Sequence, residues 1–129
     1  AAEQPGAPNW LMPVAAAMLS QGNDRASSRF LWQQMLGAEQ QWLRRRAQHA
    51  LMQLDALDQI DQLGRIIAQV ELQPGDEYSW PLLVRSGRLR GIPADPSGTP
   101  YVIDSFTGEV TVSTASILFP LPQPVEPKR

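Results

Sequence analysis

The chain has no cysteine and a single histidine among its 129 residues. Without cysteine there is no disulfide framework, no thiolate nucleophile and no sulfur-ligated zinc site. That absence does not fix the compartment. An excess of charge of one sign is also missing: 11 basic residues face 13 acidic ones, with a formal charge of -2 and a pI of 5.3. The basic footprint of a nucleic-acid binder is therefore lacking. No apolar run approaches the roughly 20 residues of a membrane-spanning helix. The longest, residues 10–19, is interrupted by Pro13 and rich in alanine. The expectation is a chain with no nucleic-acid partner and no membrane span of its own. It begins Ala-Ala rather than Met, which reads as a processed form or a fragment. A removed leader or anchor would put it in the cell envelope or periplasm; otherwise it would be cytoplasmic.

What is present is helical patterning, then a Pro/Gly-rich stretch. The length suits one domain. Residues 1–8 read as a disordered lead-in. Asn9 is placed to cap a first helix over 10–21, with Leu11, Val14, Ala15 and Met18 on one face. Gly22 and Asn23 stop it, and Asp24 caps a second helix reaching Leu36, whose stripe is Phe30, Leu31, Trp32 and Met35. The two would form an αα-hairpin. A third helix is expected over 38–53, burying Leu43, Ala47, Ala50, Leu51 and Leu54. Asp55 reads as the N-cap of a fourth, running to Val70 with Leu57, Ile60, Leu63 and Ile67 inward. Gly64 inside that stripe suggests close helix approach. A short helix over 78–86, with Trp80 and Leu83 as contacts, follows the Pro74-Gly75-Asp76 break.

The stretch from residue 91 is different in kind. Gly91-Ile-Pro-Ala-Asp-Pro-Ser-Gly-Thr-Pro-Tyr101 is a rigid connector, with Gly98 at a turn position that needs positive φ. It lacks the Lys-Ser/Thr and the strand-loop-helix context of a phosphate loop. Tyr101-Val-Ile and Val110-Thr-Val are β-type runs joined by Asp104-Ser-Phe-Thr-Gly108, a hairpin pattern. Residues 116–122 are extended and apolar, and 123–129 a loose tail.

The helix pairs together with the segment Gly91, Pro93, Asp95, Pro96, Gly98, Pro100, Tyr101, and the turn at Gly108, resemble the C-terminal part of bacterial tetratricopeptide-repeat-like proteins. The resemblance implies a mainly α fold over residues 9–122. Antiparallel helical hairpins, 10–36 and 38–70, would form a fragment of a right-handed α-α superhelix. An irregular cap over 91–113, with a short β-hairpin, would close it. It implies an architecture and no reaction. Two pairs are fewer than the three or so repeats of a free-standing array, so either the cap or helices from outside must complete the core.

No candidate for catalysis outweighs its plain structural alternative. Asp55, Asp58 and Asp61 could share a helix face as oxygen ligands, but capping and a solvated face account for them better. His49 has no nucleophile in a triad or elbow context and reads as a surface histidine. Arg44, Arg45 and Arg46 form the one basic run, suited to anion contacts, but a solvated face pairing with neighbouring acids accounts for it better. Gln41, Arg45, Gln48 and Met52 share a face, with Arg44 at its edge. In tetratricopeptide-like stacks that type of helix lines the concave groove, so this face is the expected partner surface. Of Trp10, Trp32, Trp42 and Trp80, any left exposed would mark a binding hot spot. The expected function is thus a non-enzymatic protein-binding or scaffold module without cofactor or small-molecule ligand. The alternative is a structural subunit or terminal domain of a larger assembly, membrane-associated or not, whose core is completed by partner helices.

Overall fold

The computed structural model describes residues 24–122. The expected lead-in, the helix over 10–21 and the tail over 123–129 lie outside the described residues. Those described are mainly helical, with one small antiparallel sheet. In order they are α1 (Arg25–Met35), α2 (Gln41–Ile67), α3 (Trp80–Arg85), β1 (Val102–Ile103) and β2 (Val110–Thr111). Contacts divide the chain into two compact units, Ala1–Leu54 with Pro122–Arg129, and Asp55–Leu121. Each is described by itself.

In the first unit α1 begins where the sequence places it. The Asp24 side chain accepts a hydrogen bond from the Ser27 amide, 3.2 Å, satisfying one of the amides that a helix start leaves unpaired. Its buried positions are Ser28, Trp32 and Met35, spaced four and three apart as one face requires. Phe30, expected in the stripe, is 60% exposed, because it stands two residues from Ser28 and Trp32 and so on another side of the helix. Residues 38–40, expected as helix, form the turn before α2. Arg44 holds this turn by donating to the carbonyls of Ala38 (2.6 Å) and Glu39 (2.8 Å). From α2 this unit buries Leu43, Ala47, Ala50 and Leu54.

The expected break at Asp55 does not occur: α2 is one helix of 27 residues. Nothing from Gln53 to Gln59 is Gly or Pro, and every residue there tolerates helix interior geometry. Asp55 is an exposed mid-helix residue rather than a cap. The pattern nevertheless changes phase. The stripe 43, 47, 50, 54 gives way to Ala56, Leu63 and Ile67, and Leu54 and Ala56 point roughly 200° apart around a helix. That change mimics the end of one helix and the start of another.

The second unit packs α3, the hairpin and the extended C-terminal segment with residues 55–67. Ser79 caps α3, accepting from the Leu82 amide, with Pro81 in the first turn where no hydrogen bond is lost. The hairpin register pairs Val102 with Thr111 and Ile103 with Val110. An isolated antiparallel bridge, Ala94 with Pro100, lies ahead of it. Inward positions Tyr101, Val110, Val112, Leu118 and Leu121 are buried. Tyr101, at the end of the Pro/Gly stretch, reaches α2 through Ala56 O and Gln59 Oε1.

Two glycines differ sharply. Gly108 has φ of 76°, and a Cβ there would stand 2.9 Å from Ile67 Cγ2 and 3.3 Å from the Tyr78 ring. Gly64, by contrast, has open space at its Cβ position and is exposed, so it does not serve close helix approach. Gly64→Ala should raise stability by about 0.5–1 kcal/mol. Gly108→Ala should lower it by about 1–3 kcal/mol. Urea unfolding of both variants beside the parent chain measures this; equal midpoints would contradict it.

Candidate partner-binding face

The cap residues are organised by one carboxylate. Asp95 is 4% exposed. Its Oδ1 accepts from the Ser97 amide (2.8 Å), the Ser97 hydroxyl (2.5 Å) and the Thr99 amide (3.2 Å). Its Oδ2 accepts from the Ser116 hydroxyl, 2.6 Å, 21 positions along the chain. Ser116 Oγ in turn accepts from the Leu118 amide, 3.1 Å. The turn closes through the Gly98 amide on Asp95 O and the Asp95 amide on Thr99 O, both 2.8 Å. Gly98 has φ of 95°, as its place in the turn requires. Gly91 is exposed, with open space where a Cβ would stand. Burial by itself would push the Asp95 carboxyl up. The hydroxyls of Ser116 and Ser97 and the amides of Thr99 and Ser97 outweigh it and hold the group below the ordinary value near 3.8.

Tyr101 joins this loop to α2. Its amide donates to Pro93 O, 3.1 Å, and its carbonyl accepts from the indole of Trp80, 2.9 Å. Its hydroxyl donates to Gln59 Oε1, 2.6 Å. Burial, then the charges of Asp95 and Asp55, raise the phenol to about 12. The second turn repeats the aspartate device: Asp104 accepts from the amides of Phe106 (2.8 Å) and Thr107 (2.9 Å). These amides hold its carboxyl low. Every buried side-chain polar atom among the described residues has a hydrogen-bond partner.

The expected partner face lies in the first unit and is split by the structure. Gln41, Arg45 and Gln48 are exposed, while Met52 and Arg44 are half-buried. Arg44 is also committed to the two loop carbonyls described above. The structure adds Trp42, 52% exposed, three residues before Arg45 and four before Arg46. That spacing puts all three on adjoining positions of one helix surface. Arg46 is exposed as well, and its guanidinium carbon stands 5.6 Å from the Trp32 ring centroid, within cation–π range. Of Trp32, Trp42 and Trp80, the other two are buried. Sequence reasoning held all the tryptophans as hot-spot candidates; the signal that separates them is phase, since Trp42 is one position off the Leu43 stripe.

Elsewhere the structure assembles little that could bind. Asp55, Asp58 and Asp61 are exposed along α2. No group of three or more His, Asp or Glu able to hold a metal ion is found among the described residues. No helix among them is long and apolar enough to cross a membrane. In the second unit an open groove of about 570 Å³ runs between α2 and the hairpin turn, with Gly64, Ala68 and Gly108 among its lining and Asp61, Arg65 and Glu109 at its sides. A sequence reading missed this groove because its walls come from residues 40 or more positions apart.

The Asp95 network has a pH signature. The folded carboxyl titrates below its unfolded value, so its stabilisation is complete above about pH 5. It is lost as the pH falls through 3.8 and on through the folded value. Asp95→Asn should cost about 1–3 kcal/mol at neutral pH and should flatten the acid limb, leaving the part due to Asp104. Denaturant unfolding of both proteins from pH 7 to pH 3 tests this; parallel pH profiles would refute it.

Comparison of the chain with protein-family models, with curated proteins and with solved structures gave no significant match.

Proposed function

We propose that this chain is a non-enzymatic protein-interaction module, of the helical-repeat scaffold kind that the resemblance implies, and that its partner face is the first half of α2. The observation that carries this reading is Trp42. A large aromatic held half in solvent, beside an exposed arginine on a regular helix, has the composition of a binding hot spot. Leaving such surface in water is unfavourable, by roughly 25 cal/mol for each Å² of apolar area, and a partner would remove it.

A second reading is favoured by Phe30 and Leu36, which are 60% and 39% exposed on or next to α1. With Trp42 they leave the first unit's described residues three large apolar groups in solvent. In that reading the chain is a structural subunit whose core is completed by helices of a larger assembly. The isolated chain separates the two: a monomer with one cooperative melt supports the interaction module, and aggregation or a molten state supports the subunit.

For the interaction module, Trp42→Ala should weaken a stoichiometric partner recovered from the native source by about 30-fold, the scale of a hot-spot truncation. The melting temperature should be unchanged, because the ring contributes little to the core. Recovery of the same partner in the same amount by the variant would overturn the reading.

A further inference from the structure

Charge is unevenly placed along the chain. Residues 24–54 carry five arginines against Asp24 and Glu39, whereas Asp55–Leu121 carries nine acids against four arginines. The near-neutral total hides a basic unit and an acidic one. Within the basic unit the cations are not equivalent. Arg44 is spent on the Ala38 and Glu39 carbonyls. Arg46 is placed by its contact with the Trp32 ring and remains exposed, and Arg45 is exposed. At 100° per residue Trp42 lies between Arg45 and Arg46 around the helix. An apolar ring is thus flanked on both sides by guanidinium groups.

We propose that this Arg45–Trp42–Arg46 face takes an acidic peptide segment of a partner protein, one that sets an apolar side chain on the indole and carboxylates on the two arginines. The inference rests on the interaction-face reading and adds the chemistry of the partner. Charge complementarity favours it: arginine forks match carboxylates in bidentate geometry, and a guanidinium already stacked on a ring loses less freedom when it pairs. A long polyanion fits less well. Its affinity would come from phosphate charge alone, whereas this face offers only two exposed arginines around an apolar ring.

The test uses the whole chain and a fluorescein-labelled synthetic peptide of the repeat Glu-Glu-Leu-Glu, with the Lys-Lys-Leu-Lys peptide and a single-stranded oligonucleotide as comparisons, followed by fluorescence anisotropy. The glutamate peptide should bind. Its affinity should fall roughly tenfold or more in Arg45→Glu, which leaves the Arg46–Trp32 contact intact, and further in R45E/R46E. Raising the salt to about 1 M, where the Debye length is near 3 Å, should weaken the charged part of the binding. Trp42→Ala should weaken what remains at high salt. The proposal is overturned if R45E binds the peptide as the parent chain does, if no binding is seen, if the lysine peptide binds as tightly, or if the oligonucleotide binds more tightly than the glutamate peptide. A native partner that is lost with Trp42→Ala but kept with R45E/R46E would sink the acidic class and leave the interaction face standing.

Discussion

The second unit depends on one constraint: the Asp95 carboxylate must be satisfied in a place nearly sealed from water. Four donors converge on it, from Ser97, Thr99 and Ser116. A buried carboxylate without them would carry a desolvation penalty of several kcal/mol. With them it ties the Asp95–Thr99 turn to Ser116. Because Ser116 lies 21 residues beyond Asp95, satisfying the carboxylate also draws the extended C-terminal segment against the Pro/Gly loop. Tyr101 then carries that assembly to α2 through Gln59 and to α3 through Trp80. A stretch with little regular secondary structure is in this way given fixed geometry by polar side chains, with apolar burial of Tyr101, Val110 and Leu118 supplying the driving force.

The helix α2 solves a different problem. It contributes to both units, and its buried positions shift phase between Leu54 and Ala56. A helix that serves two cores must expose, in each half, positions that the other half would bury. This is how Trp42, Arg45 and Arg46 come to stand in solvent on a rigid, regular element rather than on a loop. Side chains presented from a regular helix lose less freedom on pairing than those on a loop.

Much of this was legible in residues with local partners. Asp24 acts on the amide three residues ahead, so capping chemistry located the start of α1; Ser79 does the same for α3, but the sequence reading placed that helix by its apolar contacts and its break at Pro74-Gly75-Asp76. The hairpin followed from alternation around Asp104 and Gly108, and the turn at Gly98 from its Asp-Pro-Ser-Gly context. What was not legible depended on distant partners or on phase. The link from Asp95 to Ser116 has no local signature, nor does that from Tyr101 to Gln59, 42 residues away. The junction at Asp55 misled because a real change of buried face looks, along one dimension, like a helix boundary. Gly64 misled for a related reason: its stripe is apolar, yet its own position faces open space.

If the carboxylate of Asp95 is what unites the cap, the amides that depend on it must open together. Native-state hydrogen exchange measures this directly. The amides of Ser97, Thr99, Tyr101 and Leu118 should share one opening free energy in the parent chain, and all four should lose protection together when Asp95 is replaced by Ala. Loss of protection at Ser97 and Thr99 with Leu118 left as slow as before would contradict the account, because the C-terminal segment would then be held without the carboxylate.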